Sequence, residues 1–161
     1  MKTQKAFVLM GGNQGEVKKT FHSAMMLMTR KIGRIVRVSS VYSTQAWGPV
    51  PQGDFLNQAI LIETVLSPGL LLKALLEIEL EFGRKRQIKY GPRTLDLDVL
   101  FYGHQIICTS NLKVPHPELP NRRFALVPMD EIAGSFRHPM LHLSISELLK
   151  NCQDQLEVKP I

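Results

Sequence analysis

Apolar positions recur along the chain with two periods, and the switches between those periods mark the elements. Residues 6–10 form a short continuous apolar run that reads as a buried first strand, with 11–15 (Gly11, Gly12, Asn13, Gln14, Gly15) as the tight loop after it. Val17, Phe21, Met25, Met28 and Ile32 then fall on one helical stripe, with Lys18, Lys19, Arg30 and Lys31 off it, and Gly33 ends the helix. Residues 35–42 alternate as a second strand, a long loop runs over 43–54, and 55–66 reads as a third strand. Ser67-Pro68 opens a second helix by cap and first-turn proline, with Leu71, Ala74, Leu75, Ile78 and Phe82 as its apolar stripe. Glu77 and Glu81 lie on its solvated side, whereas Glu79 adjoins the stripe and can reach into a site. A basic loop over 83–93 leads into a strand over 94–102, and a turn leads to 106–108. Farther on, Asn121 caps a short helix interrupted by Pro128, Ser144-Ile145-Ser146-Glu147 is a capping box for a last helix, and the tail to Ile161 reads as polar and frayed. The order β-α-β-β-α-β with C-terminal additions is the split βαβ, ferredoxin-like α+β pattern, an antiparallel sheet with two helices on one face.

Length fits a single domain over 1–161, and 44% hydrophobic with 21% charged residues is ordinary for a soluble globular protein. No apolar run approaches the roughly 20 residues that span a bilayer, and the apolar start is too short for a signal-peptide core. Cys108 and Cys152 stand far apart without a CxxC context, which suits thiols in a reducing cytoplasm. The net charge of +6 and pI of about 9.5 point to a polyanionic partner, and its distribution is more telling than its sum. Arg84, Lys85, Arg86, Lys89 and Arg93 cluster before one strand, and Arg122 with Arg123 follows a Pro-rich loop; a nucleoside triphosphate or a nucleic acid would be drawn to either.

The chemistry concentrates in Lys89-Tyr90-Gly91-Pro92-Arg93-Thr94-Leu95-Asp96-Leu97-Asp98-Val99-Leu100. On a strand, Asp96 and Asp98 share one face and Leu95, Leu97 and Val99 the other. Adjacent carboxylates repel unless a cation compensates them, and oxygen-only ligands suit a hard cation such as magnesium, which also binds phosphates. Arg93 supplies a planar, permanently charged fork for phosphate oxygens. A D-x-D on a strand is more often a solvated face; the neighbouring turn and arginines shift the balance toward phosphoryl transfer. A phosphate loop at 11–15 is excluded, since neither GxxxxGK[ST] nor GxGxxG is present. His116, between Pro115 and Pro117, sits in a stiff backbone suited to a ligand-contacting ring, and Trp47 lies in the long loop as a lid or a buried pin.

The same stretch resembles the signature of the 6-hydroxymethyl-7,8-dihydropterin pyrophosphokinase family of folate biosynthesis. The likeness continues over nearly the whole chain, through Gly11-Gly12-Asn13, residues 40–44, Trp47-Gly48, Asp54-Phe55-Leu56-Asn57, Glu79 with Gly83-Arg84-Lys85-Arg86, Val114-Pro115-His116-Pro117 and Asn121-Arg122-Arg123-Phe124. The resemblance implies transfer of pyrophosphate from ATP to the pterin's hydroxymethyl oxygen, leaving AMP. It implies two magnesium ions on Asp96 and Asp98, and phosphate or nucleotide contacts from Arg84, Arg86, Arg93, Val99, His116 and Arg122, with Arg84 and Arg93 catalytic beside the aspartates. It also implies a pterin stacked between Phe55 and Phe124, hydrogen-bonded by Asn57 and covered by Thr44, Gln45 and Trp47. No strong general base is evident, as suits a loose transition state that depends on positioning. Gly12, Gln14, Ala46 and Tyr90 depart from the family's usual residues without touching the aspartates or arginines. The implied partners are the two small substrates, with no nucleic acid, no membrane and a monomeric state. A nucleic-acid-binding ferredoxin-like module is the main rival, and two carboxylates where a phosphate backbone would pass argue against it. A catalytically dead scaffold would lack an aspartate or a loop arginine, and all are present.

Overall fold

The structure, a computed structural model, describes residues 2–46, 48–83 and 94–161. Strand β1 (Gln4–Gly12) lies between β4 (Phe55–Thr64) and β5 (Asp96–Tyr102), antiparallel to both. Strand β2 (Gly33–Val38) pairs with one half of β4, and β3 (Tyr42–Thr44) with the other. The edge beyond β3 is covered by β8 (Val158–Pro160), and a hairpin of β6 (Ile107–Cys108) and β7 (Lys113–Val114) follows β5. This is the ferredoxin-like α+β fold.

Helices α1 (Val17–Lys31) and α2 (Pro68–Glu81) cover one face, where Val17, Phe21, Ala24 and Met28 of α1 and Leu71, Leu75 and Ile78 of α2 meet Ala6, Val8, Met10, Ile60 and Ile62. Each fully buried Leu or Ile on that stripe is worth roughly 1.5–3 kcal/mol, enough to hold α2 to the sheet without help from its amphipathic outer face. The C-terminal additions α3 (Arg123–Ala133) and α4 (Ile145–Asn151) cover the opposite face, over Phe7, Leu9, Ala59, Leu61, Leu100 and Phe101. Ser67 caps α2 by accepting from the Leu70 N–H, and Ser144 with Glu147 forms the expected capping box of α4.

Five local expectations are corrected. Gly11 and Gly12 are not loop but the end of β1, because β4 supplies ladder partners to both and β5 to Gly11, which overrides glycine's weak strand preference. The strand expected over 35–42 breaks at 39–41: buried Ser39 accepts the Ala59 N–H on its Oγ, its carbonyl takes Gln58 Nε2, and Ser40 turns out to Glu131. Pro128 does not interrupt α3, which is continuous across it, and Asn121 is not its cap. The Arg123 N–H instead donates to Asp154 of the C-terminal segment at 3.1 Å, while Asn121 bonds to Glu118. That segment is not frayed, since it continues into β8 on the sheet edge.

Candidate active site

The site grows out of one row of the sheet. Asp96, Gly11, Asn57 and Tyr42 are mutual cross-strand partners on β5, β1, β4 and β3. Paired residues in antiparallel strands share a face, so Asp96 and Asn57 project to the same side across Gly11. Gly11 is needed there: a Cβ at this position would stand 2.8 Å from Asn57 Oδ1. Two residues along each strand, Asp98, Phe55 and Thr44 share that side, with Thr44 the direct partner of Phe55. It is the face of α3, whose N-terminal end brings Arg122 and Phe124 over the same end of the sheet. There the two stand together, with Arg122 Cζ 5.7 Å from the Phe124 centroid.

Asp96 and Asp98 are half-buried, whereas the alternating Leu95, Leu97 and Val99 are buried against α1 and α2. The Asp96 and Asp98 pair offers oxygen donors only. Among the described residues no three or more His, Cys, Asp and Glu side chains gather as a closed metal cage. A hard cation that keeps water and phosphate oxygens in its shell fits two carboxylates of this kind.

His116 follows a cis Val114–Pro115 bond, and its backbone N–H donates to the Leu100 carbonyl at 3.0 Å, fixing the loop to the outer edge of β5. Its Nδ1 accepts the Glu118 N–H at 3.1 Å. Burial, and then the charge of Arg122, push His116 down to about 4, with Glu118 and Asp96 opposing. At neutral pH the ring is therefore uncharged, and with Nδ1 occupied as acceptor its proton sits on Nε2, a donor suited to an anionic oxygen.

The side of the site that carries Asn57 and Thr44 is held by side chains from distant segments. Asn57 and Thr44 are each 4% exposed, and the Thr44 hydroxyl has no hydrogen-bond partner among the described residues. Glu131 of α3 accepts from the Ser40 N–H and from the Tyr42 hydroxyl at 2.6 Å, tying β3 to α3. Burial and Glu131 push the Tyr42 phenol up to about 12. Asn13 Nδ2 donates to Gln52 and to the Gly53 carbonyl, both at 3.0 Å, so the turn after β1 is tied to the long loop.

Of the sequence-predicted site residues, Thr44, Phe55, Asn57, Asp96 and Asp98 come to one face, joined by His116, Arg122 and Phe124. Gln45 is exposed just beyond β3. Val99 points into the core on the opposite face and is not brought together with them. Arg84, Arg86, Arg93 and Trp47 lie outside the described residues. Gly11 is the residue whose place in the row only the structure reveals, and Glu79, expected to be able to reach into a site, bonds to the Leu97 backbone N–H. Gly11 left a faint signal as a glycine at the end of an apolar run, and Glu79 as a carboxylate on the margin of an apolar stripe.

Fold and site together define a ferredoxin-like α+β domain in which one end of the sheet is acidic on one side and aromatic with a buried amide on the other. The pattern of the 7,8-dihydro-6-hydroxymethylpterin-pyrophosphokinase (HPPK) family matches residues 7–134. The chain is 41% identical over 146 residues to a 2-amino-4-hydroxy-6-hydroxymethyldihydropteridine pyrophosphokinase of Synechocystis sp., covering 90% of this chain and 74% of that one. It is 38% identical to the Haemophilus influenzae protein of the same name, over 96% of each. The fold is similar to an HPPK-DHPS crystallised with substrates, at a TM-score of 0.72 and 13% identity over 93% of this chain. A Plasmodium falciparum HPPK-DHPS is likewise similar, at a TM-score of 0.75 and 15% identity. This chain spans 43% of the length of each of those structures. The chain belongs to the 7,8-dihydro-6-hydroxymethylpterin-pyrophosphokinase family and is a pyrophosphokinase of folate biosynthesis.

Proposed function

We propose that Asp96 and Asp98 hold two magnesium ions against the triphosphate of ATP while Asn57, Phe55 and Phe124 hold the pterin across Gly11. In this reading pyrophosphate passes from ATP to the hydroxymethyl oxygen of 6-hydroxymethyl-7,8-dihydropterin, giving AMP and the pterin diphosphate. The observation that carries it is the row Asp96–Gly11–Asn57, which sets a carboxylate and a buried amide on one face on either side of a residue without a side chain.

The metal ions, when bound, supply charge neutralisation at the phosphoryl oxygens. The chain's own groups do the rest. His116 Nε2–H and Arg122 donate to phosphate oxygens, and a neutral ring does so without adding charge repulsion against Arg122. Asn57 selects the pterin by its amide pattern, since an unmatched buried amide costs about 1–3 kcal/mol. Phe55 and Phe124 stack on the flat heterocycle, and Thr44 and Gln45 cover it. Arg84, Arg86 and Arg93 are assigned to the phosphates, and Trp47 to the pterin cover, on sequence resemblance alone. The proton of the hydroxyl needs no dedicated strong base, because loose phosphoryl transfer depends mainly on positioning and electrostatics. We take the working unit to be the monomer on sequence resemblance alone, and light scattering of the purified protein tests it.

The test is nucleotide analysis with purified protein, ATP and magnesium, with and without the pterin. Pterin-dependent AMP without ADP is expected, and it should vanish with EDTA and return with magnesium. ADP as product would make the chain an ordinary kinase, and full activity in EDTA would remove the metal assignment.

A further inference from the structure

Glu79 stands in the last turn of α2, on the face of the sheet opposite Asp96 and Asn57, only 3% exposed. Its Oε2 accepts the backbone N–H of Leu97 at 2.7 Å. Leu97 is the residue between Asp96 and Asp98, and among the described residues β5 is the edge strand of the sheet, with β1 as its ladder partner. Among the described residues the outer edge of β5 is held by the Glu79 carboxylate at Leu97 and the His116 N–H at the Leu100 carbonyl. The β1–β5 ladder is regular over Asp96, Leu97 and Asp98 and becomes irregular just beyond Val99. Its register skips a residue where Phe7 and Val8 face Phe101 and Val99, and such bulges twist a strand and re-aim its side chains.

Resting on the metal assignment above, we propose that Glu79 is a positioning residue: by holding the Leu97 N–H it sets the direction in which Asp96 and Asp98 present their carboxylates. A charged acceptor makes the shorter and stronger kind of hydrogen bond, and its loss would leave a buried edge amide unsatisfied. Carboxylates displaced by a fraction of an ångström at such a site cost turnover rather than substrate affinity.

The experiment compares wild type, Glu79→Met and Glu79→Gln. Its readouts are amide hydrogen exchange at Leu97 in the ligand-free protein, kcat, the KM of both substrates and the magnesium concentration at half-activity. Methionine keeps length and removes the acceptor; glutamine keeps an acceptor oxygen and removes the charge. In E79M, exchange at Leu97 should quicken at least about tenfold and kcat fall by a similar factor, with both KM values within about threefold and the magnesium midpoint raised. E79Q should restore protection and keep kcat within about threefold of wild type. An E79Q as impaired as E79M would assign the effect to charge and overturn the proposal, as would faster exchange in E79M with unchanged kcat. If E79M does not fold, E79Q decides alone, with Leu97 protected and kcat retained in support, and a tenfold or greater loss of kcat against it. Failure of the metal assignment is seen separately, as a wild type that works without magnesium.

Discussion

The two halves of the site are built by different means. The acidic half rests on backbone: Asp96 and Asp98 are consecutive outward positions of one strand, and His116 is seated by its own main-chain bond to β5. The aromatic half rests on side chains that reach across long sequence distances. Tyr42 and Ser40 are tied to Glu131, the turn after β1 is tied to the loop at 52–53, and the turn carrying Phe124 is capped by Asp154. Charges that must meet in register are best placed by a strand, whose pitch cannot drift. A flat ring needs a slot whose walls come from separate elements, and such walls must be tied together one by one. Substitutions in the first half should therefore change chemistry, and substitutions in the second should change affinity and local order.

The largest break of that contrast is Asp98→Ala. Turnover should fall at least about 1,000-fold, on the order of 4 kcal/mol, with unfolding stability little changed. Steady-state AMP formation and a denaturant melt check it together, and near wild-type turnover would remove Asp98 from the chemistry.

The next effect is of pH on the ligand-free fold. The unfolded chain takes up a proton on His116 below about 6.5, whereas the folded chain does so only below about 4. More protons are then bound unfolded than folded, so stability falls as pH drops through that window, by up to about 3 kcal/mol. Urea melts of wild type and His116→Asn at pH 7.5 and 4.5 should show a smaller pH loss in the variant; equal losses would mean that other groups carry it.

Asn57→Ala should weaken pterin binding by roughly tenfold, about 1.4 kcal/mol, and leave nucleotide affinity alone. Gly11→Ala sharpens the point, because its new Cβ displaces the Asn57 amide without removing it. Titration calorimetry of both variants and their double mutant should show strongly less than additive losses, and full additivity would separate the two residues.

The smallest effect is that of Asp154→Ala, about 1 kcal/mol of stability from the lost cap of α3. Pterin affinity should drop slightly more than nucleotide affinity, since Phe124 sits in the uncapped turn. An equal drop in both would place the cap outside the comparison.

Patterns decided by neighbours in sequence were legible before any coordinates. Helix α2 was marked by Ser67, Pro68 and a 3.6-residue stripe, α4 by its capping box, and the shared face of Asp96 and Asp98 by the two-residue period of a strand. Each of these depends on residues within one or two turns, so the local code is complete. The break at Ser39, the cap from Asp154 and the edge strand β8 were not legible, because each joins residues between about 20 and 120 positions apart. Gly11 and Gly12 misled for the same reason: glycine's local preference for turns yields when neighbouring strands offer ladder partners.

By itself the sequence determined the class of elements, their order, the acidic strand and the family to which the chain belongs. Tertiary structure alone decided that Asp96, Gly11 and Asn57 stand in one row, that Val99 faces away, and that Glu79 reaches the amide between the two aspartates. Those facts depend on strand register and helix docking, which are set by the summed burial of two cores on opposite faces of the sheet and by no short stretch of chain.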